Sequence, residues 1–221
     1  MGETIEYPRA DGGTVPAWVT GPASGPAVIV VQEWWGLNDQ IKACAERVAQ
    51  AGFRALVPDL FRGRVAQNAD EAKHLMDGLD WEGAVRGDIR GAVRFLGQDG
   101  DKVGIMGFCM GGAVTVLAAA NLPAIQAAVC FYGIPPAQSC DPANIKAPFQ
   151  GHFAHDDDWV TPAVVNGLES RLQSGEVDYE LFRYDAKHAF MNKARPEVYD
   201  PDHAGRAWKR TLRFFGEHLK G

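Results

Sequence analysis

Apolar runs separated by turn-forming residues divide the chain into alternating strand and helix patterns. Residues 3–20 alternate in a strand-like way around Asp11-Gly12-Gly13, which predicts a hairpin. Ala27-Val28-Ile29-Val30-Val31 is a continuous apolar run, as expected of a strand buried on both faces. Arg54-Ala55-Leu56-Val57 and residues 103–108, 127–132, 149–153 and 179–184 read as further strands. Between them lie helical patterns. Asn38 is placed to cap a helix with Ile41, Cys44, Ala45, Val48 and Ala49 on one face, stopped by Gly52. Residues 69–79 and 81–96 come next as helices, the second with Gly83, Gly87 and Gly91 four apart, which predicts close packing against a neighbour at some cost in helix propensity. A helix with few polar positions begins after Cys109, and Thr161-Pro162 opens another with Thr as N-cap. Ala207, Trp208, Thr211, Leu212, Phe215 and Leu219 form the apolar stripe of a closing helix. Residues 60–68, with Arg62 and Arg64, read as a surface loop.

Strands alternating with helices after an antiparallel start predict one α/β domain over residues 1–221, with a mainly parallel sheet flanked by helices on both faces. A chain of 221 residues, 46% hydrophobic, is long enough to bury a full core. A formal net charge of −6 without a basic run argues against nucleic acid or an anionic membrane as partner. The opening Met1-Gly2-Glu3-Thr4-Ile5-Glu6-Tyr7 has no basic and apolar signal pattern, and no apolar segment approaches the length of a membrane span. Cys44, Cys109, Cys130 and Cys140 lack C-x-x-C spacing and read as reduced thiols of a cytoplasmic protein.

Candidate chemistry centres on Gly107-Phe108-Cys109-Met110-Gly111, a nucleophile elbow with sulfur in place of oxygen. Small residues two before and two after the nucleophile relieve collisions in a sharp strand-to-helix turn. The amides at the start of the next helix are expected to lower the thiol pKa. A buried, inert cysteine in a glycine-rich turn is the competing interpretation. Active sites of such sheets lie at the carboxyl ends of the strands, which draws attention to the residues just past each strand. Beyond residues 149–153 comes an aspartate triplet, Asp156-Asp157-Asp158, and beyond residues 179–184 comes Asp185-Ala186-Lys187-His188. Nucleophile, acid, histidine is the α/β-hydrolase order. His188 would pair with the sulfur, and the acid would fix the imidazole tautomer. His152, His155 and the aspartates offer no closed metal-ligand set, so neither a metal nor a cofactor is expected, and His74, His203 and His218 read as surface residues on helices. Glu33, directly after a buried strand, is costly unless something pairs with it.

Gln32-Glu33-Trp34-Trp35-Gly36-Leu37-Asn38, Pro58-Asp59-Leu60-Phe61, Gly107-Phe108-Cys109-Met110-Gly111-Gly112, Phe131-Tyr132-Gly133, Asp157-Asp158-Trp159-Val160 and Lys187-His188-Ala189-Phe190 together resemble the dienelactone hydrolases (carboxymethylenebutenolidases). The resemblance covers nearly the whole chain. It implies an α/β-hydrolase fold and opening of an enol lactone, in aromatic compound catabolism, through a Cys109–His188–Asp157 triad and an acyl-enzyme. It selects Asp157 from the triplet and makes Glu33 the group that takes the thiol proton when substrate arrives. The fold places an oxyanion hole at the backbone N–H groups of Met110 and Trp34. Trp35, Tyr132 and Phe190 are expected to contact substrate, a small lactone or ester, in a monomer or small homo-oligomer. Two arginines that hold the substrate carboxylate in the family are absent: Asn192 and Ala69 stand at the matching positions. Arg62, Arg64, Lys73, Lys193 and Arg195 are the available substitutes. The absence of the two arginines suggests, as the alternative, a carboxylesterase or thioesterase for uncharged or aromatic esters; a non-catalytic thiol sensor on the same fold is a further alternative, against which His188 and Asp157 count because a sensor needs no general base.

Overall fold

The computed structural model describes residues 2–9, 11–98 and 100–221, leaving Met1 of the opening stretch outside the described residues. Its centre is an eight-stranded sheet in the order β1-β2-β4-β3-β5-β6-β7-β8. The strands are β1 (Glu3–Pro8), β2 (Thr14–Thr20), β3 (Ala27–Val31), β4 (Arg54–Pro58), β5 (Val103–Phe108), β6 (Ala127–Phe131), β7 (Phe149–Asp156) and β8 (Tyr179–Lys187). β1 and β2 form the predicted hairpin, with Glu3 opposite Val19 and Pro8 opposite Thr14. β2 joins β4 antiparallel, and every pairing from β4 to β8 is parallel, so the sheet is mixed at one edge and parallel elsewhere. β3, β5 and β6 are wholly buried, as their unbroken apolar runs require.

Helices cover both faces. α1 (Asp39–Gln50), capped by the Asn38 side chain, and α7 (Pro201–Leu219) bury one face through Ile41, Val48, Ala207 and Phe215. The other face is covered by α2 (Ala69–Asp77), a rod made of α3 (Trp81–Gly83), a π-helical turn (Ala84–Ile89) and α4 (Arg90–Leu96), then α5 (Met110–Asn121) and α6 (Pro162–Ser174). The rod explains the glycine spacing. A Cβ on Gly87 would lie 2.6 Å from the Arg9 guanidinium, and one on Gly91 would lie 2.6 Å from the Pro8 carbonyl. The end of β1 therefore lies directly on the helix. Arg9 and Arg62 converge there on the buried Asp88 carboxylate, at 2.6 and 2.8 Å. Burial pushes Asp88 up, with Arg62 and Arg9 opposing it.

Residues 60–68 are more embedded than a surface loop: Leu60, Phe61 and Ala66 are buried. The Asp59 carboxylate accepts the N–H groups of Phe61 and Gly63 and folds the segment back. No helix among the described residues is long and apolar enough to cross a membrane.

Candidate active site

Five adjacent strands deliver the candidate residues from the same edge of the sheet. Cys109, Tyr132, Asp157 and His188 are each the first residue beyond β5, β6, β7 and β8, and Glu33 lies two beyond β3. β7 and β8 run longer than their sequence patterns suggest, which is why Asp157 and His188 stand directly at their ends.

Cys109 adopts φ 54° and ψ −117°, the strained conformation of a nucleophile elbow. Neighbouring glycines make it possible. A Cβ on Gly107 would stand 2.1 Å from the Gly111 carbonyl oxygen, and one on Gly111 would stand 2.5 Å from the Gln32 carbonyl oxygen. The Cys109 N–H donates to the Phe131 carbonyl at 3.0 Å, and the Cys109 carbonyl accepts from Ala113 at 3.1 Å.

His188 Nδ1 lies 2.6 Å from Asp157 Oδ2. Asp157 Oδ1 accepts the N–H groups of Trp159 at 2.9 Å and Val160 at 2.8 Å, so both oxygens are fixed. Burial works to raise the Asp157 pKa, but the His188 hydrogen bond and charge and the two amides outweigh it and hold the carboxyl below its usual range. Asp156 and Asp158 are exposed and flank it. Trp159 stands edge-on to the His188 ring at 5.5 Å, and Tyr132 does so at 5.1 Å.

Glu33 is the second carboxylate whose charge acts on the thiol. Its Oε2 accepts from Asn192 Nδ2 at 2.6 Å and its Oε1 from the Tyr132 hydroxyl at 3.3 Å. Burial raises its pKa against the pull of Asn192, His188, Tyr132 and Arg195. Beside it is a small cavity bounded by Asn38, Gln40, Cys44 and Met191.

The expected thiolate is corrected by this environment. Burial pushes the Cys109 thiol well above its ordinary pKa, and the Glu33 and Asp157 charges add to that. The backbone N–H groups of Met110 and Trp34 favour the thiolate and pull the other way, but desolvation wins over the helix start. No hydrogen bond joins Cys109 to His188 among the described residues.

Of the three expected substrate contacts, Trp35 is partly exposed, whereas Tyr132 and Phe190 are fully enclosed. Tyr132 contacts His188 and Glu33, and Phe190 packs against Tyr132 and Tyr184, so neither ring forms an open wall. His152 is buried inside β7, with its ring nitrogens 2.7 Å from the Tyr184 hydroxyl and 2.8 Å from Gln150 Oε1. Burial drops its pKa to about 3, so it stays neutral. Among the described residues no group of three or more His, Cys, Asp or Glu is placed to hold a metal ion.

The substitute cations are largely committed elsewhere. Arg62 binds Asp88, Arg64 reaches the Phe61 carbonyl, Lys73 pairs with Asp77, and Arg195 pairs with Glu197 at 2.8 Å. Ala69 opens α2 on the surface. Asn192, which stands out in the sequence only for the missing arginine, is the residue that holds Glu33. A polar residue shortly after the histidine is the one signal the sequence offers for it. Trp159 is visible within Asp157-Asp158-Trp159-Val160, but its place against His188 depends on the loop's Asx-type turn at Asp157.

Comparison with known proteins gives the family. Residues 15–219 match the family model described as "Dienelactone hydrolase family". A protein named usf from Aquifex pyrophilus is 36% identical over 231 residues, covering 99% of this chain and 100% of that protein. One from Aquifex aeolicus (strain VF5), named "Putative carboxymethylenebutenolidase", is 33% identical over 232 residues and 100% of both chains. Among solved structures, the "Putative Dienelactone Hydrolase" of Klebsiella pneumoniae subsp. pneumoniae MGH 78578 superposes with a TM-score of 0.84 at 26% identity, over 99% of this chain and 100% of that one. With the elbow, the ordered strand ends and a match across nearly the whole length, the chain belongs to the dienelactone hydrolase family, hydrolases built on the α/β-hydrolase fold.

Proposed function

We propose that the chain hydrolyses a small ester or lactone through a thioester on Cys109, with His188 and Asp157 completing the triad. The observation that carries this reading is the strained Cys109 turn at the start of α5, in the same row of strand ends as an imidazole already fixed by Asp157. The backbone N–H groups of Met110 and Trp34, which favour negative charge at Cys109, are the donors for the substrate carbonyl oxygen. An entering substrate accepts from them, and the sulfur turns toward the imidazole. His188 takes the thiol proton, directly or relayed from Glu33, and the C–S bond forms as the carbonyl π pair moves onto oxygen. Protonated His188 then gives a proton to the leaving oxygen as the C–O bond breaks. Water, deprotonated by His188, adds to the thioester and expels the Cys109 thiolate, which is reprotonated. The family's lactone chemistry, linked to aromatic compound catabolism, supplies the first substrate to test. All four cysteines are free, which suits a cytoplasmic setting.

The absence of arginine at 69 and 192, together with the pairing of Arg62, Lys73 and Arg195, favours a second reading in which an uncharged ester is the better substrate. Dienelactone and an aryl acetate are compared with wild type and Cys109→Ala. Wild type turns over at least one of them, and the variant loses about 10³-fold or more in kcat. Intact-protein mass spectrometry of wild type with the slower substrate shows the acyl adduct. Turnover surviving in Cys109→Ala overturns the mechanism. Preference for the aryl ester decides for the second reading.

A further inference from the structure

A cleft of about 1440 Å³, larger than the roughly 300–1,000 Å³ usual for a ligand site, is lined by the π-helical turn, α5 and α6 together with Ile134 and Trp159, and none of the triad side chains lines it. Its floor is the face of α5 carrying Ala113 and Leu117, one turn apart and running away from the elbow. Val85 of the π-helical turn stands on one side, with Val164 and Leu168 of α6 on the other. Two contacts join the cleft to the triad. Trp159 lines it and stands edge-on to His188 at 5.5 Å. Ile134 lines it directly after Gly133, whose Cβ position would fall 2.0 Å from the Cys109 carbonyl oxygen. Trp159 and Val164 are two of the three large apolar side chains exposed among the described residues, at 44% and 41%.

The charges of the cleft are already matched. Arg86 pairs with Glu82 at 3.2 Å, and Arg171 meets Asp141 through both Nε, at 3.0 Å, and a terminal nitrogen. The lining therefore presents apolar surface and internally neutralised ion pairs to an occupant. An anionic group would have to break one of those pairs to be recognised, whereas a hydrocarbon or aryl group would bury apolar area without that cost.

We infer that this cleft holds the long apolar acyl arm of an uncharged ester, entering past Trp159 while the ester carbonyl sits at Cys109. The inference rests on the hydrolase reading above and adds the substrate class. The acyl arm stays bonded to the enzyme through the thioester while the alcohol departs, so it needs the fixed channel and the alcohol does not.

Two substitutions test the cleft without disturbing the core. Gly167 lines the cleft on α6, and a Cβ there would meet nothing within 4 Å, so Gly167→Phe fills space that is now open. Val164 lies three residues after the Thr161 N-cap, where glutamate completes a capping box, so Val164→Glu brings an anion into the cleft while favouring the helix. Wild type is expected to show kcat/KM for p-nitrophenyl octanoate about tenfold or more above that for the acetate, and each variant to cut that ratio at least fivefold with an unchanged melting temperature. A carboxylated ester, p-nitrophenyl hemisuccinate, gains no such advantage.

Calorimetric binding of 2-undecanone to Cys109→Ala reads the cleft without turnover. Binding that Gly167→Phe abolishes supports the cleft even if no ester is hydrolysed, in which case the hydrolase reading alone fails. An octanoate-to-acetate ratio near one, or one that neither variant moves, overturns the inference. So does a change in solution mass caused by Gly167→Phe, since the face would then belong to a second copy of the chain.

Discussion

Two carboxylates flank one thiol, and their surroundings push them in opposite directions. Asp157 has both oxygens tied, to His188 and to the Trp159 and Val160 amides, and its pKa falls despite burial. Glu33 is as deeply placed but has only a neutral amide and a phenol as direct partners, and its pKa rises. The difference lies in the partners, since burial works in the same direction on both. A carboxylate held charged is suited to orienting and stabilising an imidazolium. One poised toward the neutral form is suited to receiving a proton from a thiol that desolvation has kept protonated.

The contrast is broken most severely at Asp157. Asp157→Asn removes the charge that fixes the imidazole tautomer, and kcat on the preferred ester is expected to fall about 10³- to 10⁴-fold with a much smaller change in KM. Steady-state kinetics would check this, and a loss below tenfold would show that His188 needs no acid partner. Asn192→Ala comes next. It strips the short hydrogen bond from a buried carboxyl and is expected to cost about 1–3 kcal/mol of stability, read by urea denaturation.

The smallest effect sharpens the comparison through pH. Because Glu33 keeps its proton to higher pH when folded, its stabilising contribution is complete below the unfolded carboxyl range, about 4.3, and is lost as pH rises through the raised folded value. Asp157 contributes oppositely, with stability present above the unfolded range and lost as pH falls through its depressed value. Whatever its offset in acid, Glu33→Gln should therefore gain in melting temperature relative to wild type as pH increases, as scanning calorimetry at several pH values would reveal. A difference that stays flat with pH would mean that Glu33 has no raised pKa.

The Asp157 half of this contrast is legible in the sequence and the Glu33 half largely hidden, for a physical reason. Asp157 and His188 follow the elbow in the order nucleophile, acid, histidine, and the resemblance picks Asp157 from its triplet, although the apolar runs stop short of the strand ends. Asn192 meets Glu33 across 159 positions of sequence, a contact set by how the turn after β8 packs over the end of β3. No local period encodes that meeting. The thiolate expectation fails for a related reason: the helix start after Cys109 can be read locally, while the desolvation that overrides it is a property of the assembled interior. The π-helical turn likewise has the pattern of ordinary helix, because Gly83, Gly87 and Gly91 show that something packs closely but not that Arg9 lies there.

The separation of strand ends from cleft walls bears on how such an enzyme diversifies. Glu33, Cys109, Tyr132, Asp157 and His188 hang from five hydrogen-bonded neighbours in one sheet, whose pairing fixes their mutual distances. Val85, Val164, Gly167 and Leu168 belong to helical segments laid over that sheet, and Gly167 faces open space. On the proposed mechanism and cleft, mutations on the helices would reshape what is accepted, one side chain at a time, while the strand-end residues are inherited intact. A library confined to these helical positions would explore new substrates with little risk to turnover itself.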